Sequence, residues 1–221
     1  MRPCGMIGSM TDRIDAVILA GGTAERLGGA SKADLRLGGA RLLDLVLGSI
    51  RALRGEREGH DVVVAPPSVR MPAGTLRTME APPGSGPLAG IGAGLALLPD
   101  DMVLPPEDGD LVLVCAVDSP GIRRWAPLLL NALVTDGAGG TGGTDGAVAM
   151  GGEPEPFRQY LQGAYRRRPL DEVLAAAGSL DNRSVRGVLK RLRLIDVPVD
   201  ADLCRDLDTP EDLAWWRRHF T

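Results

Sequence analysis

Gly21 and Gly22 follow the apolar run Ala16-Val17-Ile18-Leu19, and two cations, Arg26 and Lys32, come shortly after them. Glycines at the end of a buried strand let backbone approach a ligand closely, because they lack Cβ and tolerate positive φ. Successive N–H groups in such a turn converge on an anion. With Arg26 and Lys32 beside it, the loop is suited to a polyphosphate. A second element of chemistry is Val117-Asp118-Ser119-Pro120, which closes the most apolar stretch of the chain. A carboxylate at the end of a central strand suits magnesium, a hard cation that takes one or two carboxylates plus phosphate oxygens. Asp118 equally suits the acceptance of N–H bonds in a Ser-Pro-Gly turn; the glycine loop tips the balance towards metal. Gly86-Pro87-Leu88-Ala89-Gly90 starts a helix whose N–H groups face a ligand, and its small residues also suit packing on a sheet. In Asp206-Leu207-Asp208-Thr209-Pro210, Asp208 fits either a second metal contact or an acid placed at a helix start.

Two common phosphate loops are excluded. Lys32 follows Ser31 and precedes Ala33, so the Gly-Lys-Ser/Thr end of a Walker A loop is missing. Gly21-Gly22 does not supply the G-x-G-x-x-G of a dinucleotide fingerprint.

The segment from Leu19 to Lys32 resembles the signature of nucleotidyltransferases that take an NMP group from an NTP. Within them it most resembles the molybdenum cofactor guanylyltransferases (MobA-like NTP transferases), whose pattern is roughly L-A-G-G-x-x-x-R-M-G-G-x-D-K. Leu27 replaces the Met and Ser31 the Asp. Asp118 and Pro120 match the family's C-D-x-P, and residues 86–90 repeat its G-P-L-A-G. Asp206 and Asp208 replace both Asn of a late N-x-N-T-P, a form that resembles the related cytidylyltransferases of the same cofactor pathway. The resemblance implies a Rossmann-like nucleotidyltransferase fold and transfer of GMP from GTP to molybdopterin, with release of pyrophosphate. It implies Mg²⁺ on Asp118, with Asp208 either a second metal contact or only an acid that helps cap the last helix, and Arg26 and Lys32 holding the leaving pyrophosphate. Leu19, Ala20, Gly21, Gly22, Lys32, Glu80, Gly86, Pro87, Leu88 and Asp118 would bind the nucleotide. Contact with molybdopterin-delivering or molybdoenzyme-maturation proteins is a further implication. A cytidylyltransferase, a sugar-1-phosphate nucleotidyltransferase and a non-catalytic nucleotide-binding paralogue remain alternatives.

These residues need a scaffold. The 221 residues, 44% hydrophobic, suffice for one α/β domain, expected over residues 13–221 after a disordered lead-in at 1–12 in which Met10 is an alternative start. Strands are expected at 16–19, 62–65, 77–80, 111–117, 147–150, 159–165 and 194–197. Helices are expected at 42–53, 88–98, 123–134, 169–177 and 184–192, with a last one begun by Thr209 and Pro210. Residues 137–146 are expected to form a mobile glycine-rich loop. Alternating strands and helices predict a doubly wound, mostly parallel sheet, whose ligands bind beyond the carboxyl ends of the strands. A net charge of −4 argues against a protein that coats nucleic acid. The apolar runs are too short for a membrane span, and residues 1–11 lack the form of a secretory signal. Three dispersed cysteines and two histidines exclude a recognisable zinc motif and fit a reducing cytoplasm. Arg166-Arg167-Arg168 is expected as a solvated run, with the phosphate of the acceptor as its other potential partner.

Overall fold

The structure, a computed structural model, describes residues 13–24, 30–99, 110–138 and 143–220. Its first strand, β1 (Ile14–Leu19), is followed by a two-residue strand pair, β2 (Thr23–Ala24) and β3 (Ala30–Ser31), and by a small hairpin, β4 (Arg36–Leu37) and β5 (Ala40–Arg41). Gly38 and Gly39 turn that hairpin at φ 58° and 85°, a region that glycine enters without a Cβ penalty. Then come α1 (Leu42–Arg54), β6 (Asp61–Val64), β7 (Thr75–Thr78), α2 (Pro87–Leu97), β8 (Leu111–Ala116) and α3 (Ile122–Ala138). The chain continues through β9 (Gly146–Gly151), β10 (Phe157–Arg166), α4 (Arg167–Ala177), α5 (Val185–Leu189), β11 (Leu194–Pro198) and α6 (Pro210–His219).

Seven strands form one sheet in the order β11-β9-β10-β8-β1-β6-β7. β10 runs antiparallel to both neighbours, and all other pairings in this sheet are parallel. Both faces are covered, which is why the central strands are apolar at every residue. Ala16, Ile18, Leu113 and Cys115 pack with α1 and α3 on one face, and Val17, Val112 and Val114 pack with α2 and α4 on the other. Cys115 is a core residue whose thiol pKa is pushed up by burial.

Several boundaries differ from the sequence expectation. The strand expected at 77–80 is Thr75–Thr78, fixed by its parallel register with Asp61–Val64. Met79 and Glu80 thereby leave the ladder. The glycine-rich stretch begins later than expected because α3 runs on to Ala138. Its far end is tied down: Thr144 donates through N and Oγ1 to Asp136, and its carbonyl accepts from Arg166 Nε. The helix expected at 184–192 is only Val185–Leu189, with Ser184 as its cap. Arg167 is buried, donating to Leu95 O at 3.1 Å and to Asp171 at 2.6 Å. The arginine run is therefore not simply a solvated face. Among the described residues, no helix is long and apolar enough to cross a membrane.

Candidate active site

β1 and β8 are parallel neighbours in the middle of the sheet, with Leu19 opposite Ala116. Their carboxyl ends therefore open side by side, and the chain leaving each supplies one half of the site. After Leu19, Ala20 donates its N–H to Val64 O at 2.8 Å and is fully buried, while Gly21 and Gly22 emerge into solvent. The β2–β3 pairing brings the chain back, and Lys32 N donates to Gly22 O at 3.3 Å. The lysine stem then lies over Gly22: a Cβ there would stand 3.5 Å from Lys32 Cδ.

The ammonium group of Lys32 joins the two halves. Nζ donates to Asp118 Oδ2 at 2.5 Å and also to Asp208 Oδ1. Burial would lower the lysine pKa, but the hydrogen bonds and charges of Asp118 and Asp208 outweigh it and raise the pKa. Asp206 belongs to the same charge cluster. Burial, together with the charges of Asp118 and Asp208, pushes its carboxyl up to about 7. Two carboxylates thus share one lysine, with Asp206 close by, an arrangement that suits a cation brought in with the substrate. Among the described residues no three His, Cys, Asp or Glu side chains converge tightly enough to hold a metal alone. Two carboxylates completed by phosphate oxygens fit magnesium better than a closed protein cage, so the donor set is compatible with that ion.

The cavity beside this cluster has a volume of about 330 Å³, a size typical of small-molecule sites. Leu19, Gly21, Gly22 and Lys32 from the first loop, Glu80, Gly84, Gly86 and Pro87 from the approach to α2, and Asp118 line it together. Glu80 is held there by accepting from Gly84 N at 3.1 Å. Gly86 takes φ 91° as the N-cap of α2, and Pro87 follows as its first residue. The opening N–H groups of such a helix lack intrahelical partners. Gly90 lets α2 come close, because a Cβ there would be 3.0 Å from Leu19 Cδ2.

Most of the residues expected from the sequence meet here. Ala20 and Leu88 are the exceptions in kind: both side chains are fully buried in the core, so only their backbone can face a ligand. Arg26 lies outside the described residues. The run Arg166-Arg167-Arg168 is far from the cavity. Arg166 pairs with Leu111 at the start of β8, whereas Asp118 follows the end of that strand. An acceptor phosphate bound beside Asp118 is therefore out of its reach. A larger hollow of about 740 Å³, lined in part by Arg166, Arg168, Arg191 and Arg193, opens at that opposite edge. Sequence reasoning missed Val64 and Leu161 as lining residues of the site cavity. Leu161 carried no sequence signal, since it arrives through an irregular antiparallel pairing of β10.

A mostly parallel sheet in this order, with a glycine turn and an acid at adjacent carboxyl ends, is an α/β nucleotidyltransferase fold. The molybdopterin-guanine dinucleotide biosynthesis protein A of Archaeoglobus fulgidus superposes with a TM-score of 0.61 at 20% identity, over 93% of this chain and 98% of that one. The 2-C-methyl-D-erythritol 4-phosphate cytidylyltransferase of Thermus thermophilus gives 0.58 at 19%, over 92% and 97%. The 4-diphosphocytidyl-2C-methyl-D-erythritol synthase of Anaerococcus prevotii gives 0.63 at 12%, over 94% and 95%. At these identities the likeness is one of fold. No curated protein matches the chain in sequence. The chain belongs to the MobA-like NTP transferase domain family, whose model matches residues 16–196, and it is a nucleotidyltransferase of that family.

Proposed function

We propose that the protein transfers GMP from GTP to molybdopterin and releases pyrophosphate. The observation that carries this is the meeting of Lys32 and Asp118, which line the glycine-loop cavity, with Asp208. Family membership supports the reaction class, and the sequence likeness at residues 19–32 and 86–90 supports the guanine nucleotide.

Both reactants are anions, so the site must first overcome their repulsion. Transfer at phosphorus depends mainly on positioning and charge stabilisation. Gly21 and Gly22 offer backbone N–H groups to the triphosphate. Lys32 exchanges its carboxylate partners for phosphate oxygens and meets the charge that develops on the leaving pyrophosphate, with Arg26 as the second cation. Asp118 and Asp208 would hold Mg²⁺, which when bound neutralises and orients phosphate oxygens. Glu80 and the start of α2 border the nucleoside. The terminal phosphate of molybdopterin is already an anionic nucleophile, so no general base is required. Such a reaction belongs in a reducing cytoplasm, where Cys115 and Cys204 stay unpaired.

A second reading has a specific basis. Asp206 and Asp208 stand where the guanylyltransferases have Asn, and solved cytidylyltransferases share the fold. The deciding experiment is pyrophosphate release measured with GTP, CTP and UTP, with and without molybdopterin. Release that requires both GTP and molybdopterin is expected. Turnover with CTP alone would move the assignment to a cytidylyltransferase. Nucleotide binding with no release under any condition would mark a non-catalytic paralogue.

A further inference from the structure

Gln162 is a polar side chain in the middle of the sheet, 3% exposed. It reaches that place through an irregularity. Gln159 of β10 pairs with Ala149, the next paired residue is Gly163 with Val148, and Tyr160, Leu161 and Gln162 have no partner on β9. Bulges of this kind re-aim side chains next to active sites. Here Leu161 lines the candidate nucleotide cavity. Gln162, one residue on, belongs to the opposite face, because alternate strand residues point to opposite sides.

On that face the amide of Gln162 bonds to two loops at once. Nε2 donates to Ser119 Oγ at 2.9 Å and to Cys204 O at 3.1 Å. Ser119 follows Asp118, and Cys204 begins the stretch that carries Asp206 and Asp208. The same loops touch elsewhere. Leu207 N donates to Asp118 O at 2.8 Å. Gly121 sits so close to Leu203 that a Cβ would be 2.2 Å from Leu203 O. Gln162 thus pins the loop bearing Asp118 to the loop bearing Asp208 from beneath, independently of the Lys32 bridge.

The Oε1 atom of Gln162 is buried with no hydrogen-bond partner among the described residues, so the side chain is held by the two bonds that Nε2 donates.

We propose that Gln162 is a positioning residue that fixes the spacing of Asp118 and Asp208 and thereby sets the affinity of the site for a divalent cation. The inference rests on the proposed role of those two acids as metal ligands. Groups that orient metal ligands from behind typically influence metal affinity by about 10- to 100-fold.

The test is Mn²⁺ binding, followed by the electron paramagnetic resonance signal of free Mn²⁺ in the presence of GTP. Gln162→Met keeps the length and removes the donor. It is expected to weaken Mn²⁺ binding by about tenfold and, because Ser119 Oγ and Cys204 O lose their donor, to lower the thermal midpoint modestly, while GTP binding in chelator stays at that of the parent. Ser119→Ala, which leaves Gln162 in place and removes one of its partners, is expected to weaken Mn²⁺ binding in the same direction and supplies the answer if Gln162→Met does not fold. Combining the two changes should cost less than the sum of the separate effects. Unchanged Mn²⁺ affinity in a folded Gln162→Met or in Ser119→Ala, with Asp118→Asn abolishing binding, would overturn the positioning role alone. Unchanged binding in Asp118→Asn would overturn the metal site and this inference with it.

Discussion

The Lys32 ammonium, bridged between Asp118 and Asp208, occupies the kind of position a cation takes between two carboxylates. The same lysine is the natural partner of phosphate oxygens once nucleotide arrives. These two roles have opposite signatures in one variant. Lys32→Ala is expected to lower pyrophosphate release by about 10²- to 10³-fold, the usual loss when a charge-stabilising group is removed. It is also expected to bind Mn²⁺ more tightly in the absence of nucleotide, because the competing cation is gone. Parallel turnover and paramagnetic titrations check both, and weaker metal binding in Lys32→Ala would refute the exchange. At this scale the sequence was informative where residue type and motif coincide, as for Lys32 and Asp118. It was silent on Gln162 and Leu161, because a residue's face on a strand depends on a register that only pairing settles.

Among the elements, the late acidic segment is secured by the helix that follows it. Thr209 caps α6 by accepting from Asp212 N at 3.1 Å, and Asp212 accepts in return from Thr209 N at 2.9 Å, a complete capping box. Loss of such a cap typically costs about 1 kcal/mol. Thr209→Ala is therefore expected to lower the stability measured in urea by roughly that amount. Asp208 immediately precedes the cap, so a modest rise in the metal concentration needed for turnover should accompany the loss. This start was legible from Thr209-Pro210-Glu211-Asp212, since caps are local chemistry. The end of β7 was not legible. Residues 77–80 looked like a strand, but the parallel register with β6 closes at Val64 opposite Thr78. That early closure is what frees Glu80 to line the cavity.

Across the whole molecule, the two ends of the central strands carry different side chains. The cavity with Lys32, Asp118 and Glu80 opens at the carboxyl ends of β1 and β8, and the arginine-lined hollow opens at the far edge. Arg168 is well exposed and paired with Glu172 at 3.0 Å. Arg168→Glu is expected to leave pyrophosphate release and the KM for both substrates unchanged in a steady-state assay. A loss of acceptor binding in that variant would show that the arginine run reaches the substrate after all.

The sequence by itself determined the alternation of strands and helices, the burial of both faces of the sheet, and the residue types that suit a phosphate loop. These follow from short-range periodicity and from the properties of glycine, lysine and aspartate. Only the tertiary structure decided that β1 and β8 are neighbours, that β10 is inserted antiparallel beside β8, and that Lys32, Asp118 and Asp208 converge across long stretches of chain. Strand order and register are set by the packing of the whole sheet against its two helical layers, and no local window of sequence contains that information.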